Sequence, residues 1–384
     1  MKKIVFLTGT RADFGKIRSI ILSLIDTKKF KVDVFVTGMH LLHRYGYTIE
    51  EIKKVGIGRL FKFSNQNTNY ESEVRMDEIL SKTIKGFSKY VKKNKPDLIM
   101  LHGDRLEALA GAIVGAYNNI LIGHIEGGEV SGTIDNSIRH AVSKLSHLHF
   151  VSNNAHKRRL IQLGEAKKNI FVIGSPDIDI MISKELPSIH KVKRIYKIKF
   201  DNYSILIFHP VTTEISKLKK QSKILFNTLK KSKNNYIIIY PNNDLGSNII
   251  ISELLKLKNE KRFKILKTMR LTYFLTLLKN TEFIIGNSSA GVREAPFYGV
   301  HSINIGSRQQ NRFNNQAIKN VKFNQKEILK AIKTSLKKKR FKPDNHFGDG
   351  NSCKKFVRIV MGKNIWKTRI QKNFVDNSYF DATL

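Results

Sequence analysis

Three short segments of this chain set carboxylates beside glycine, arginine or histidine: His102-Gly103-Asp104-Arg105, His124-Ile125-Glu126-Gly127-Gly128-Glu129 and Asp135-Asn136-Ser137-Ile138-Arg139-His140. Carboxylates gathered around one small molecule shift one another's proton affinity and divide acid and base work between them. Asp104, Glu126 and Asp135 are therefore the first candidates for catalysis. The competing structural explanations are a helix cap at Asp135 and an arginine partner for Glu126.

A second group suits anions. Gly9-Thr10-Arg11-Ala12-Asp13-Phe14-Gly15-Lys16 lacks the spacing of a dinucleotide fingerprint, and Ile17 stands where a P-loop needs Ser or Thr for magnesium. What remains is a glycine turn into a helix start with Arg11 beside it, a phosphate cradle unless Arg11 serves only a local cap or salt bridge. Further on come His209 in HPVTTE, Asn242 in PNNDLGS, and Gly286-Asn287-Ser288-Ser289-Ala290-Gly291-Val292-Arg293-Glu294. A helix beginning at Ser288 and Ser289 would offer N–H and O–H groups to a diphosphate, with Glu294 two turns in facing ribose hydroxyls. Arg308 and Arg312 follow. The binding set is Gly9, Arg11, Arg105, Arg139, Asn242, Ser288, Ser289, Glu294 and Arg308. His147 and His149 share a strand face, fewer ligands than zinc needs, so no metal is expected.

To converge, these residues must stand at the carboxyl ends of parallel strands, where open α/β sheets bind ligands. β-branched runs recur with helical segments between them. The pattern predicts strands at Lys3–Thr8, Val32–Thr37, Leu98–His102, Ile120–Ile125, His149–Ser152 and Ile170–Ile173. After a polar stretch over Ser183–Asn202 it predicts more at Ser204–Phe208, Tyr236–Tyr240, Phe263–Leu266, Phe283–Ile285 and Ser302–Ile305. The fold class is α/β, two Rossmann-like domains facing a cleft: an amino-terminal domain over 1–185 carrying the acids and a nucleotide-binding domain over 186–362. The last helix of the second is expected to pack back on the first, and 363–384 form a basic tail.

With 384 residues, of which 41% are hydrophobic, the chain is long enough for two cores. No apolar run approaches the roughly 20 residues of a membrane span, and Ile4–Leu7 is too short for a signal-peptide core. With one cysteine, Cys353, and so no intrachain disulfide, a cytoplasmic location is expected. The net charge of +38 raises nucleic acid as a partner. The lysines, however, spread over nearly every predicted helix and no aromatic RNA-binding stretch accompanies them, so neither nucleic acid nor membrane is expected as a partner. The positive field instead favours an anionic small substrate.

HIEGGEVSGTIDNSIRH, with TGTRAD, VTGMHLLHRYGYT, HGDR, HPVTTE, GNSSAGVRE, GSRQ and GDGN in order, resembles the UDP-N-acetylglucosamine 2-epimerase family over roughly residues 1–360. It is most similar to the hydrolysing branch of sialic-acid and legionaminic-acid biosynthesis. The resemblance implies a glycosyltransferase-B-type fold, with Asp104, Glu126, Asp135 and His209 in the catalytic positions. Arg11, Ser288, Ser289, Glu294 and Arg308 would touch the nucleotide and diphosphate. It further implies a homodimer or homotetramer, no cofactor, and a nucleotide-diphosphate 2-acetamido sugar as substrate. That substrate is UDP-N-acetylglucosamine or a UDP- or GDP-linked 2,4-diacetamido-2,4,6-trideoxyglucose. Elimination to a glycal and hydration would give the free manno-configured sugar, N-acetylmannosamine in the first case. In the non-hydrolysing enzymes a glutamate resembles the Asp135 position and HVEAGLR replaces HIEGGE. A non-hydrolysing epimerase, a glycosyltransferase of the same fold and a basic nucleic-acid binder are the alternatives.

Overall fold

The computed structural model of the chain describes residues 1–66, 75–184 and 186–376. Among them, thirteen strands form two parallel sheets. The first contains β1 (Lys2–Thr8), β2 (Phe30–Val36), β3 (Leu60–Lys62), β4 (Leu98–His102), β5 (Leu121–Ile125), β6 (Leu148–Val151) and β7 (Ile170–Val172), in the order β3-β2-β1-β4-β5-β6-β7. The second contains β8 (Ser204–Ile207), β9 (Tyr236–Ile239), β10 (Phe263–Leu266), β11 (Phe283–Gly286), β12 (His301–Ile305) and β13 (Ile318–Val321), in the order β10-β9-β8-β11-β12-β13. Helices lie between successive strands of each sheet except β12 and β13, which a helix-free loop over residues 306–317 joins. The expected boundary at residue 185 falls on a residue outside the described ones.

The sequence pattern missed β3 and β13. Both are edge strands, β3 without a buried residue and β13 with Lys319 and Asn320 exposed. Central parallel strands are covered on both faces and read as continuous apolar runs, which edge strands lack.

Strand order reverses between β1 and β4 in one sheet and between β8 and β11 in the other. A crevice opens at such a switch point, outside the carboxyl ends of the strands. The Gly9–Asp13 and His102–Arg105 turns flank the first switch; His209 and the Asn287–Ser289 turn flank the second.

The chain crosses between the lobes after β7 and returns near Phe347. The two crossings touch: Ser175 N–H donates to the Phe347 carbonyl at 2.7 Å. Gly174 (φ +89°) and Gly348 (φ +146°) pass so closely that a Cβ on Gly174 would sit 3.3 Å from the Gly348 Cα, so both need glycine for backbone and space. Beyond the return, the Ser352–Met361 helix buries Phe356 and Val360 with Ile4 and Phe150 in the first lobe's core. The described part of the tail continues along that lobe. Trp366 stacks on Phe30 at 6.0 Å, and the Lys372 ammonium donates to the Lys144 and Ser146 carbonyls, both at 2.6 Å, at the end of the Ile134–Leu145 helix. Among the described residues, no helix is long and apolar enough to cross a membrane.

Phe356 is fully buried against Phe150. Phe356→Ala should destabilise the protein by about 3–5 kcal/mol in urea unfolding, by lost burial and the cavity left behind. A loss below about 1 kcal/mol, the scale of a surface change, would mean that this helix contributes little to the first lobe.

Candidate functional site

A cavity of about 310 Å³ lies between the two switch points, with walls from both lobes. The first lobe contributes Arg11, Asp13, Lys16, His102, Asp104, Arg105, Glu126, Asp135 and Arg139; the second contributes His209, Asn242, Ser288, Ser289, Glu294, Arg308 and Arg312. All three candidate acids therefore face one space, which the parallel neighbours β4 and β5 and the Ile134–Leu145 helix after β5 bring about.

Glu126 follows β5 with φ +65°, a left-handed conformation that costs a non-glycine residue of order 1–3 kcal/mol. Its backbone is held on both sides. Glu126 N–H donates to the Phe150 carbonyl at 2.9 Å, and Arg139 Nη1 donates to the Glu126 carbonyl at 2.7 Å. The carboxylate meets Arg293 Nη2 at 2.5 Å, His102 Nε2 at 3.2 Å and Lys16 Nζ at 3.9 Å, and accepts from the Ser175 hydroxyl. Burial alone pushes such a carboxyl up, but Arg293, then Lys16 and His102, outweigh it and hold Glu126 well below the usual carboxylate range. His102 is clamped in turn: its Nδ1 lies 2.8 Å from Asp13 Oδ1. Burial lowers its proton affinity, while Glu126 and Asp13 raise it further, to about 9, so it is an imidazolium.

Asp104 and Asp135 are displaced in opposite directions. Burial raises Asp104, but Arg139, which donates to it directly, and the more distant Arg312 and Arg308 bring it below its ordinary value. For Asp135, burial and the Asp104 charge raise the carboxyl, against the opposing pull of Arg308 Nη2 at 2.9 Å. One acid is thus shifted toward its ionised form and its neighbour toward its protonated form. The cap of the Ile134–Leu145 helix is Thr133 rather than Asp135, which leaves the Asp135 side chain free to face the cavity.

His209 is half-buried and neutral, lowered well below its usual value by desolvation and then by Arg308 and Arg105. Its Nδ1 accepts the Asn242 backbone N–H at 3.0 Å, which puts its proton on Nε2 as a donor. Asn287, at the end of neighbouring β11, fixes the His209 backbone through bonds of 2.7 and 2.8 Å.

The cations mostly bridge the lobes. Arg105 donates to Asp244 at 3.0 Å and Asn243 at 2.8 Å, Arg308 reaches back to Asp135, and Arg11 spans Glu51 and Thr268. Burial, then neighbouring Arg270, lowers the Arg11 guanidinium to about 10.

Several expectations need correction. Gly9 does not line the cavity; it packs on Glu107, whose Cδ would lie 2.5 Å from a Cβ there, and its N–H points to Asp13. No helix begins at Ser288. A single 3-10 turn, Ser289–Gly291, is capped by the Ser288 hydroxyl, and a short helix follows at Glu294–Phe297. Glu294 opens that short helix instead of lying two turns into a long one, so this segment brings no long helix dipole to the site. The Glu294 carboxyl is buried 3.2 Å from Lys16 Nζ and raised, by burial above all.

The sequence reasoning passed over Lys16, Asp177, Glu129 and Arg293. Lys16 Nζ lies 2.9 Å from Asp177, and Arg312 Nη2 lies 2.6 Å from Glu129. Arg293 stands one residue before Glu294 in a segment already singled out, yet nothing local signals that its partners lie more than a hundred residues away. His147 donates to the Ile370 carbonyl and His149 pairs with Glu165, both apart from the cavity. Among the described residues, no group of three or more His, Cys, Asp or Glu converges as a metal site would need.

Known proteins share this pattern. Residues 23–361 match the sequence profile of a family described as UDP-N-acetylglucosamine 2-epimerase. The UDP-N-acetylglucosamine 2-epimerase of Neisseria meningitidis serogroup B is 44% identical over 98% of this chain and 99% of its own length. The UDP-N,N'-diacetylbacillosamine 2-epimerase (hydrolyzing) of Legionella pneumophila is 32% identical over 94% and 96%. Among solved structures, Methanocaldococcus jannaschii UDP-GlcNAc 2-epimerase in complex with UDP-GlcNAc and UDP superposes with a TM-score of 0.77. It covers 94% of this chain and 99% of its own at 24% identity, a likeness of fold.

Replacing Asp104 tests the coupling of the acid pair. In Asp104→Asn the like charge facing Asp135 disappears, so the Asp135 carboxyl should titrate about one unit lower by carbon-13 NMR. An unmoved Asp135 midpoint would mean that burial alone raises it.

Proposed function

This chain belongs to the UDP-N-acetylglucosamine 2-epimerase family, and we propose that within it the protein is a hydrolysing 2-epimerase that converts UDP-N-acetylglucosamine to UDP and free N-acetylmannosamine. The observation that carries this reading is the set of three acids around one cavity, Glu126 and Asp104 lowered and Asp135 raised in proton affinity, with Arg308 and Arg312 reaching in from the other lobe. The choice of UDP-N-acetylglucosamine follows the Neisseria relative. The choice of hydrolysis follows the Legionella relative and the HIEGGE and Asp135 segments.

The C2 hydrogen of a 2-acetamido pyranose is barely acidic, because no carbonyl is attached to that carbon. It becomes acidic once the C1–O bond breaks and the electron pair departs with UDP, leaving oxocarbenium character at C1. Arg308 and His209 Nε2–H face the space where that negative charge develops, as preorganised donors should. Arg11, held by Glu51 and Thr268, marks the nucleotide end of the cavity.

Glu126 and Asp104, whose proton affinity is lowered, are the proton acceptors, and Asp135, raised by burial and the Asp104 charge, is the donor. Loss of the C2 proton to Glu126 gives the glycal. Asp135 returns a proton to C2 from the other face, which inverts that centre, while water adds to C1 and gives its proton to Asp104. UDP leaves with one more negative charge than it carried in the substrate, and one proton passes to solvent to reset the acids. No redox step occurs, in keeping with the missing dinucleotide fingerprint.

Incubation with UDP-N-acetylglucosamine in deuterium oxide should release UDP and free sugar one for one, with deuterium at C2. A nucleotide-linked product would make the enzyme non-hydrolysing, and a fully protonated C2 would exclude the glycal. Glu126→Gln should lower kcat by about 10²–10⁴-fold while UDP affinity stays near wild type; wild-type turnover would remove Glu126 from the mechanism. The pH profile of kcat should be bell-shaped. Activity is lost as pH falls through the depressed values of Glu126 and Asp104, which then cannot accept protons, and as pH rises through the raised value of Asp135, which then cannot donate.

A further inference from the structure

Arg293 does not line the cavity, yet it is fully buried and meets more of the buried acids than any cavity-lining arginine described above. Nη2 lies 2.5 Å from Glu126 Oε1 and also donates to the Ser175 hydroxyl; Nη1 donates to Glu129; Asp177 Oδ2 is 3.8 Å away. Its guanidinium rests on the Phe347 ring at 4.8 Å. Ser175 and Phe347 belong to the two crossings between the lobes, which are themselves joined by the Ser175 N–H bond to the Phe347 carbonyl. The residue comes from the second lobe, just after β11, and Glu126 from the first, just after β5.

We propose that Arg293 is a positioning residue that couples the seating of the two lobes to the placement of the Glu126 carboxylate, so that Glu126 is set for proton removal only when the crossings are packed around the guanidinium. This role rests on the catalytic part proposed for Glu126 above.

Two structural facts distinguish it from a simple strut. Ser175 bridges the pair, accepting from Arg293 and donating to the same Glu126 oxygen that the guanidinium meets, so the carboxylate is oriented as well as neutralised. The partners on the other side, Glu129 and Asp177, have cations of their own in Arg312 and Lys16. Glu126 retains Lys16 only at 3.9 Å and His102 at 3.2 Å once Arg293 is removed. The remaining charged or titratable groups around Arg293 are Glu294, Arg139, His156 and His346, of which Glu294 is pushed up by burial and has its own cation in Lys16 at 3.2 Å.

The test compares Arg293→Gln, Arg293→Lys and Glu126→Gln in the full-length protein. The Glu126 carboxyl is followed by carbon-13 NMR titration without ligand, and kcat and KM are measured with UDP-N-acetylglucosamine. Arg293→Gln should raise the Glu126 midpoint by about one unit or more, as loss of a contacting opposite charge does. The acid limb of kcat should move with it, and kcat should fall about 10²-fold while KM changes by less than about threefold. Arg293→Lys should recover part of both effects. An unmoved midpoint and acid limb, or parallel loss of kcat and UDP affinity, would overturn the proposal in favour of a strut. Should Arg293→Gln fail to fold, Ser175→Ala removes the bridging hydroxyl and should shift the limb less but in the same direction; an unmoved limb there overturns it equally. A fully active Glu126→Gln would instead sink the catalytic reading, and the NMR titration would still decide whether Arg293 governs the Glu126 carboxyl.

Discussion

Charge taken out of water must find opposite charge, and in this protein much of it is found across the gap between two sheets. Glu126, Glu129 and Asp135 from the first lobe meet Arg293, Arg312 and Arg308 from the second, while Arg105 of the first reaches Asp244 of the second. Desolvation costs several kcal/mol per ion, and removing one partner of such a pair costs about 3–5 kcal/mol. The lobes are consequently held at the one separation that pairs these groups. An apolar interface of the same volume would stabilise the fold at least as well. The retention of charge there is better explained by what the charges do to the cavity.

What they do is assign proton states. Carboxyls of ordinary intrinsic acidity end up with proton affinity lowered at Glu126 and Asp104 and raised at Asp135, because each faces a different balance of burial, arginine and neighbouring acid. His102 and His209 diverge in the same way, one an imidazolium between two carboxylates and the other a neutral donor beside two arginines. The left-handed backbone at Glu126 belongs to the same design: strain tolerated because Phe150, Arg139 and Arg293 over-determine the residue's position.

The legible part of the fold was the part with local cause. A buried central strand such as β4 announces itself as an apolar run between turn residues, and its bounds were read to the residue, whereas β3 and β13 have a solvent edge and no such run. At the site, Asp104, Glu126, Asp135 and His209 were found because each ends a strand or opens a helix beside a glycine or a charged neighbour. Gly9 was misplaced for the same local reason: a glycine in a strand-to-helix turn suggests an anion, but here the space is taken by Glu107. The long helix expected at Ser288 gave way to one 3-10 turn and a four-residue helix.

The amino-acid order by itself determined the alternation of strand and helix and the carriage of reactive side chains to strand ends, since both follow from period, turn chemistry and pleat. It did not determine which acid has its proton affinity raised and which lowered, which arginine answers which carboxylate, or that Arg293 stands between the two crossings of the chain. Those depend on distances of 2.5–3.9 Å between groups separated by up to 173 positions, and on water excluded by both lobes at once. Only the closed tertiary structure creates that exclusion, and electrostatic energies of this kind exist only inside it.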